Sequence, residues 1–199
     1  MHDEQHAGSR RARWNARWAR RDYAGQGPIA VLADYAHLLP ARGRALDLAC
    51  GLGLNALFLA ARGLESHAWD YSETAIARLR AEAAARGLQL QAEVRDLLAA
   101  PPAPAGFDVI VVSRFLERGL CPAIAAALRP GGLLYYQSFV RDRVTEHGPD
   151  DHAFRLGANE LLALFPGLQL RLYRDEGSLG DVTRGFRDEA QLVAQRPPG

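Results

Sequence analysis

The sequence contains no lysine, and all 24 of its basic residues are arginines. Without lysine, the chain cannot carry the G-K-[ST] phosphate-binding loop, whose lysine reaches the terminal phosphates of a nucleotide. The same absence excludes the Tyr-x-x-x-Lys pair of nicotinamide-dependent reductases. Together with the abundant alanine, this arginine-only composition is typical of a GC-rich coding bias.

Cysteines and long apolar runs are also scarce. The two cysteines, Cys50 and Cys121, indicate no disulfide framework and favour a reducing compartment. No apolar run reaches the 18 residues of a membrane helix, and the start, MHDEQHAGSR, lacks the apolar core of a signal peptide. The net charge of +1 gives no strong attraction to nucleic acid or membranes. We therefore expect a cytoplasmic protein without a membrane partner.

The apolar pattern predicts an α/β fold in a chain of 199 residues, long enough for one sizeable core. We expect residues 1–10 to be frayed, residues 1–40 to form a helical cap, and residues 41–199 to form one compact domain. Strands are predicted at 44–50, 66–70, 90–96, 107–113, 133–140, 168–177 and 181–196, and helices at 54–62, 73–86, 120–129 and 158–165. This alternation predicts a seven-stranded, mostly parallel sheet with helices on both faces and an antiparallel last strand.

The stretch LDLACGLGLN, residues 46–55, joins a predicted strand to a predicted helix and fits the dinucleotide-binding pattern G-x-G-x-x-G/A. Gly51 and Gly53 allow a ligand to approach the backbone closely. Asp47, at the end of the strand, would repel a pyrophosphate and suits a ligand that is positively charged or donates hydrogen bonds. The pattern alone is weak, and it leaves both a dinucleotide and an adenosyl ligand open.

Acidic residues also follow the next two predicted strands. Asp70 ends the second strand and can accept hydrogen bonds from both hydroxyls of a ribose. Asp96 ends the third strand, where it could accept a hydrogen bond from the amine of an adenine while Leu97 packs on the ring. Asp96 could equally cap a turn.

Taken as an ordered set, LDLACGLGLN, AWDYS, RDL, FDVIVVSRFLER and ALRPGGLLYYQSF resemble the class I S-adenosylmethionine-dependent methyltransferases, which have a Rossmann-like sheet. WNARWA near the start is similar to the entry segment of the small bacterial tellurite-resistance methyltransferase-like group. The resemblance implies S-adenosylmethionine as the cofactor and methyl transfer to a small molecule as the activity. The cofactor-binding residues that it implies are Trp14, Arg17, Asp47, Ala49, Gly51, Gly53, Asn55, Asp70, Tyr71, Asp96, Leu97, Ser113 and Arg114, with Trp18 beside them.

The methyl acceptor is left open. SRFLER stands where amino-group methyltransferases carry an Asp-Pro-Pro-Tyr motif, which favours a soft or already ionised acceptor such as a thiol or an oxyanion. The arginines after the fourth and fifth strands would suit an anion. The candidates for binding the acceptor are Arg118, Arg141 and His147, and those for catalysis are Arg114, His147 and Arg184.

Three further points concern tellurite as the acceptor, metal binding and the alternative functions. The tellurite-resistance group carries a histidine–arginine pair in its last hairpin, whereas EGSLGDVTRGF has no histidine, which puts tellurite itself in doubt. We expect no metal, because His147 and His152 have no cysteine partner nearby.

Two alternative functions remain. One is a nicotinamide-dependent oxidoreductase, and the other, because of RRARWNARWARR, is a nucleic-acid methyltransferase. The oligomeric state is open.

Overall fold

The computed structural model describes residues 2–199, with side chains from residue 8 onward. The helices are α1 (His2–Ala19), α2 (Ala30–Asp34), α3 (Leu54–Ala61), α4 (Glu73–Ala85), α5 (Cys121–Ala127) and α6 (Glu160–Leu164). The strands are β1 (Arg44–Leu48), β2 (Glu65–Asp70), β3 (Leu90–Val94), β4 (Phe107–Ser113), β5 (Leu128–Phe139), β6 (Gln169–Arg174) and β7 (Glu189–Gln195). Short 3-10 turns lie at Ala36–Leu38, Arg118–Leu120 and His152–Phe154.

All seven strands form one sheet in the order β3-β2-β1-β4-β5-β7-β6. The pairs among β1 to β5 are parallel, and β7 runs antiparallel to both of its neighbours. The predicted fold class is therefore confirmed. Because the order reverses at β1 and β4, the switch point of the sheet lies between their carboxyl ends, where ligands bind in open α/β sheets.

Alternate residues of the central strands face two separate cores. Leu46 of β1 packs with Ile124 of α5 and Leu161 of α6 on one face. Ala45 packs with Leu32 of α2 on the other face, where α3 and α4 also lie. The central strands are thus buried on both sides, as their continuous apolar sequence predicted.

The beginning of the chain differs from the prediction of frayed residues. Helix α1 starts at His2 and packs against α4. The hydroxyl of Ser72 donates to Asn15 Oδ1 over 2.6 Å, and Arg11 forms an ion pair with Glu73 over 3.4 Å. A polar helix can persist in this way, because tertiary contacts outweigh its low apolar content.

The last hairpin also differs from its predicted bounds. The strand predicted from residue 181 begins only at Glu189, and residues 175–188 form a loop around the predicted turn at Gly180. The Arg187 guanidinium holds this loop by donating to the carbonyls of Gly177, Leu179 and Asp181. These contacts satisfy backbone groups that a longer hairpin would have paired.

No helix in the described part of the chain is long and apolar enough to cross a membrane.

Candidate functional site

The loop between β1 and α3 lies at the switch point of the sheet. Ala49, Gly51 and Gly53 all have positive φ angles, of 55°, 54° and 70°. A Cβ at Gly53 would overlap the buried Leu79 side chain, and a Cβ at Gly51 would lie 2.5 Å from the Trp18 ring. Both positions therefore require glycine, for their backbone conformation and for the space around them.

Ala49 is the one residue of this loop that carries a Cβ in the left-handed region. We expect Ala49→Gly to stabilise the protein by about 1 kcal/mol, because a left-handed conformation costs a non-glycine residue roughly that much. Thermal unfolding measures the effect. As a control, Ala60→Gly within α3 should destabilise the protein by about 1 kcal/mol. A lower unfolding temperature for Ala49→Gly would contradict this account of the loop.

Asp47 lies beneath the loop and is fully buried. Its carboxylate accepts hydrogen bonds from Asn55 Nδ2 and from the Ala56 amide, each over 3.1 Å. Asn55 in turn accepts from the Ile29 amide over 2.9 Å and lies 3.4 Å from Ser113 Oγ. Asp47 and Asn55 therefore join β1, β4, α2 and α3, and their direct contact with a cofactor stays a prediction.

Burial raises the pKa of Asp47 to about 7 from an ordinary value of 3.8. Between these values the folded state holds a proton that the unfolded state releases, so the free energy of unfolding should fall as the pH rises from about 4 to about 7. Each unit of pKa shift is worth about 1.4 kcal/mol. Urea unfolding across this range should show a flatter pH dependence for Asp47→Asn than for the wild type. The exposed control Asp151→Asn should keep the wild-type profile, and an unchanged profile in Asp47→Asn would contradict the assignment.

Asp70 ends β2 beside the same loop and is largely buried. Its Oδ2 accepts from the Gly51 amide and its Oδ1 from the Ser72 amide, each over 2.8 Å. Burial raises the pKa of this carboxyl group. The structure thus brings Asp70 against Gly51, and the contact of Asp70 with a ribose stays a prediction.

The residues predicted to surround an adenine occupy different environments. Tyr71 stacks against Arg11, whose guanidinium carbon lies 4.4 Å from the ring centre. Asp96 Oδ1 accepts from the Leu98 amide over 3.0 Å, so the side chain caps a turn. Leu97 is buried within the core. The turn cap was the alternative for Asp96, and its contact with adenine stays a prediction, as does that of Leu97.

Helix α1 covers the glycine loop with an aromatic pair. The rings of Trp14 and Trp18 stack with centres 6.1 Å apart, and Arg17 lies over both of them. The buried Trp18 Nε1 has no hydrogen-bond partner among the described residues. Because an unpaired buried donor is costly, this N–H indicates a place for an acceptor atom of a ligand.

Arg114 follows β4 in a left-handed conformation with a φ of 52°. Its amide donates to the Gln137 carbonyl over 2.8 Å. Its Nε donates to Glu189 Oε1 over 2.6 Å. A non-glycine residue in this conformation is strained and points to a functional constraint.

Glu189 is a residue that the sequence analysis missed. It is the first residue of β7 and only 4% exposed. No local signal distinguishes it from its charged neighbours in RDEAQ, because its burial depends on a strand partner and on Arg114, 75 positions away.

One of the arginines expected at the acceptor site, Arg118, has structural partners. Arg118 donates through Nε and a terminal nitrogen to Glu160, over 2.6 and 3.0 Å, and also to the Ala153 carbonyl. Arg141 lies on the same side and contributes to the lowered pKa of Glu160, after the hydrogen bond from Arg118. These contacts favour a structural role for Arg118, and acceptor binding by either residue stays a prediction.

The loop after β5 is anchored by two buried charges. Arg155 is fully buried and donates to the carbonyls of Val140, His147 and Pro149. Asp188 accepts from the Thr145 amide and hydroxyl over 3.0 and 2.6 Å. His147 is thereby held beside Phe139, with ring centres 5.4 Å apart. Its catalytic and acceptor-binding roles stay predictions.

The remaining predictions concern Arg184 and metals. Arg184 is exposed in the loop before β7, and its side chain is placed against none of the site residues above. Its catalytic role stays a prediction. No cluster of metal-ligating side chains occurs among the residues that the structure describes.

The residues at this edge of the sheet fit an adenosyl ligand with an amino-acid tail. They combine a carboxylate suited to ribose hydroxyls at Asp70, the glycine backbone at Gly51 with the Trp18 ring against it, and the unpaired N–H of Trp18. The chain has no lysine that could reach the terminal phosphates of a triphosphate.

Comparisons with known proteins agree with this fit. Residues 45–132 match a family described as a methyltransferase domain. TehB from Haemophilus influenzae is structurally similar, with a TM-score of 0.72 and 21% identity over 87% of this chain and 64% of that one. An S-adenosylmethionine-dependent methyltransferase from Methanosarcina mazei gives a TM-score of 0.67 and 18% identity over 87% of this chain and all of that one.

Among curated proteins, Hemagglutinin 1 of Eikenella corrodens is 41% identical over 96 residues, or 45% of this chain. The chain spans about a third of the length of that relative. Residues 45–132 therefore resemble a methyltransferase domain, and the chain has the fold of solved S-adenosylmethionine-dependent methyltransferases.

Proposed function

We propose that the protein transfers a methyl group from S-adenosylmethionine to a small-molecule acceptor that is anionic or a soft nucleophile. The observation that carries this proposal is the meeting of Asp70, Gly51 and the unpaired Trp18 N–H at the switch point of the sheet. S-adenosylmethionine supplies an electrophilic methyl group on a sulfonium. The chain has to bind the acceptor, orient it and exclude water.

The charges near the end of β4 support an anionic acceptor. Burial lowers the pKa of Arg17, and repulsion from Arg21 and Arg114 lowers it further. Arg17 has no carboxylate partner among the residues with described side chains, so an anion bound there would relieve this repulsion. A thiolate and an oxyanion both satisfy this condition.

Helix α1 supports the exclusion of water from the reaction. The Trp18 ring covers Gly51, and the backbone of α1 is held from α4, where Arg78 donates to the Trp18 carbonyl. We infer that residues 1–40 act as a cap that closes over the cofactor, with Trp14 and Arg17 facing it. A soft acceptor needs little help from a general base. The exclusion of water and the alignment of the acceptor therefore supply most of the catalysis.

The alternatives predict different ligands. A nicotinamide-dependent oxidoreductase would bind a pyrophosphate beside Asp47 and Asp70, where two carboxylates oppose it. A nucleic-acid methyltransferase would use the arginines of α1, but Arg11 pairs with Glu73 and Arg17 stacks on the tryptophans. The positive charges of Arg17 and Arg114 support the small-molecule proposal and neither of these two alternatives.

A methyl-transfer screen tests the proposal. Release of S-adenosylhomocysteine is measured with thiols, oxyanions and small carboxylic acids as acceptors, with Asp108→Asn as a control altered at the opposite edge of the sheet. We expect turnover with at least one anionic or thiol acceptor in the wild type and the control. Turnover with RNA alone would contradict the small-molecule assignment.

A further inference from the structure

A buried carboxylate lies at the acceptor end of the site. Glu189 begins β7 and pairs with Phe139 at the end of β5, so it stands at the same edge of the sheet as Ser113. It is 4% exposed. A buried charge is costly unless it is paired and hydrogen-bonded, and the partners of Glu189 therefore indicate its purpose.

Both oxygens of Glu189 have a partner. Gln137 Nε2 donates to Oε2 over 2.5 Å, and Arg114 Nε donates to Oε1 over 2.6 Å. Gln137 is itself fixed, because its Oε1 accepts from the Val31 amide over 3.0 Å. These contacts fix the position of the Glu189 carboxylate. The carboxylate in turn fixes the orientation of the Arg114 guanidinium.

Arg114 uses only its Nε in this pair. Its two terminal nitrogens make no hydrogen bond to the described residues, and its side chain is 45% exposed. The Phe139 ring centre lies 5.8 Å from the guanidinium carbon of Arg114 and limits the movement of the guanidinium. A guanidinium fixed through Nε presents a planar fork of N–H donors, the geometry that binds a carboxylate through two parallel hydrogen bonds.

The surroundings add positive charge to this fork. Arg17 is near enough to Arg114 for the two guanidinium groups to repel each other. His147 also approaches this group, with its Nε2 atom 3.9 Å from Glu189 Oε1. Glu189 balances one of these charges, and at least one positive charge remains for a ligand.

We propose that Glu189 is a positioning residue that holds Arg114 so that its terminal nitrogens bind a carboxylate group of the methyl acceptor. This inference rests on the proposed function and narrows its acceptor to molecules that carry a carboxylate next to the group that is methylated. Gln137 completes the arrangement by holding the other oxygen of Glu189.

Calorimetric titration tests the proposal on the full chain. The protein is first titrated with S-adenosylhomocysteine, and the saturated protein is then titrated with mercaptoacetate or with mercaptoacetamide, which differ only in the carboxylate. We expect the acid to bind about 10-fold more tightly than the amide, a difference of about 1.4 kcal/mol. Glu189→Gln should remove this preference, and its binding of S-adenosylhomocysteine shows that the variant is folded.

Two further variants keep the result interpretable. Glu160→Gln alters another arginine-bound carboxylate and should keep the preference for the acid. Arg114→Gln changes a half-exposed side chain and should abolish the preference even if Glu189→Gln fails to fold. Equal binding of acid and amide by the wild type, or a preference retained in Arg114→Gln, would overturn the inference. Absence of S-adenosylhomocysteine binding would instead overturn the proposed function.

Discussion

Replacing Asp70 by asparagine is expected to weaken the binding of S-adenosylhomocysteine about 100-fold, or about 2.8 kcal/mol. The carboxylate already orients the glycine loop through the Gly51 amide. In the proposed complex it also accepts hydrogen bonds from the ribose hydroxyls, and charge-assisted hydrogen bonds are about twice as strong as neutral ones. The variant loses this charge and places an N–H₂ group opposite a backbone donor. Calorimetric titration of wild type and variant measures the difference.

Asp108→Asn is the matched control for this experiment. Asp108 also holds a backbone amide, that of Arg44 over 2.7 Å, but it lies at the amino end of β4, across the sheet from the cofactor loop. We expect its affinity for S-adenosylhomocysteine to stay within about twofold of the wild type, because distant sites behave independently. Equal affinity of Asp70→Asn and the wild type would remove Asp70 from the cofactor site.

Replacing Arg155 by methionine is expected to destabilise the protein by about 3 kcal/mol, because the backbone carbonyls of three residues lose the donor that a fully buried side chain supplies. The guanidinium donates to Val140 over 2.9 Å, to Pro149 over 2.7 Å and to His147 over 2.6 Å. For a chain of this size, such a loss should lower the midpoint of thermal unfolding by about 10 °C. Scanning calorimetry measures it.

The Arg155 variant also separates stability from cofactor binding. The loop that it anchors carries His147, whereas the glycine loop lies elsewhere, so the affinity for S-adenosylhomocysteine should change by less than about threefold. Arg171→Met, which alters an exposed arginine bound to Gln195, should leave the unfolding midpoint nearly unchanged. An equally small change in Arg155→Met would show that the loop does not depend on this residue.

The glycine loop and the strand end beside it were predictable because their signals are local. The helix predicted at 73–86 begins at Glu73 as predicted, and the hydroxyl of the preceding Ser72 accepts from the Ala75 amide as a cap. Asp70 ends an apolar strand, and Gly51 and Gly53 stand in a spacing that only a tight turn requires. Each of these assignments depends on a few neighbouring residues, which is the range over which sequence patterns are informative.

The acceptor edge was less predictable because its contacts join distant parts of the chain. In sequence, Arg118 and Arg155 are indistinguishable from arginines that face a ligand, yet both donate to protein groups. Glu189 is an ordinary charged residue until Arg114 and Gln137 surround it. The frayed start was also mispredicted, because the contacts that stabilise α1 come from α4.

The central claim is that the switch point of the sheet binds an adenosyl ligand without phosphates. Calorimetric titration of the full chain with S-adenosylhomocysteine, and separately with NADH, tests it most directly. The account predicts saturable one-to-one binding of S-adenosylhomocysteine and none of NADH. Binding of NADH, with no heat from S-adenosylhomocysteine at several hundred micromolar, would contradict it.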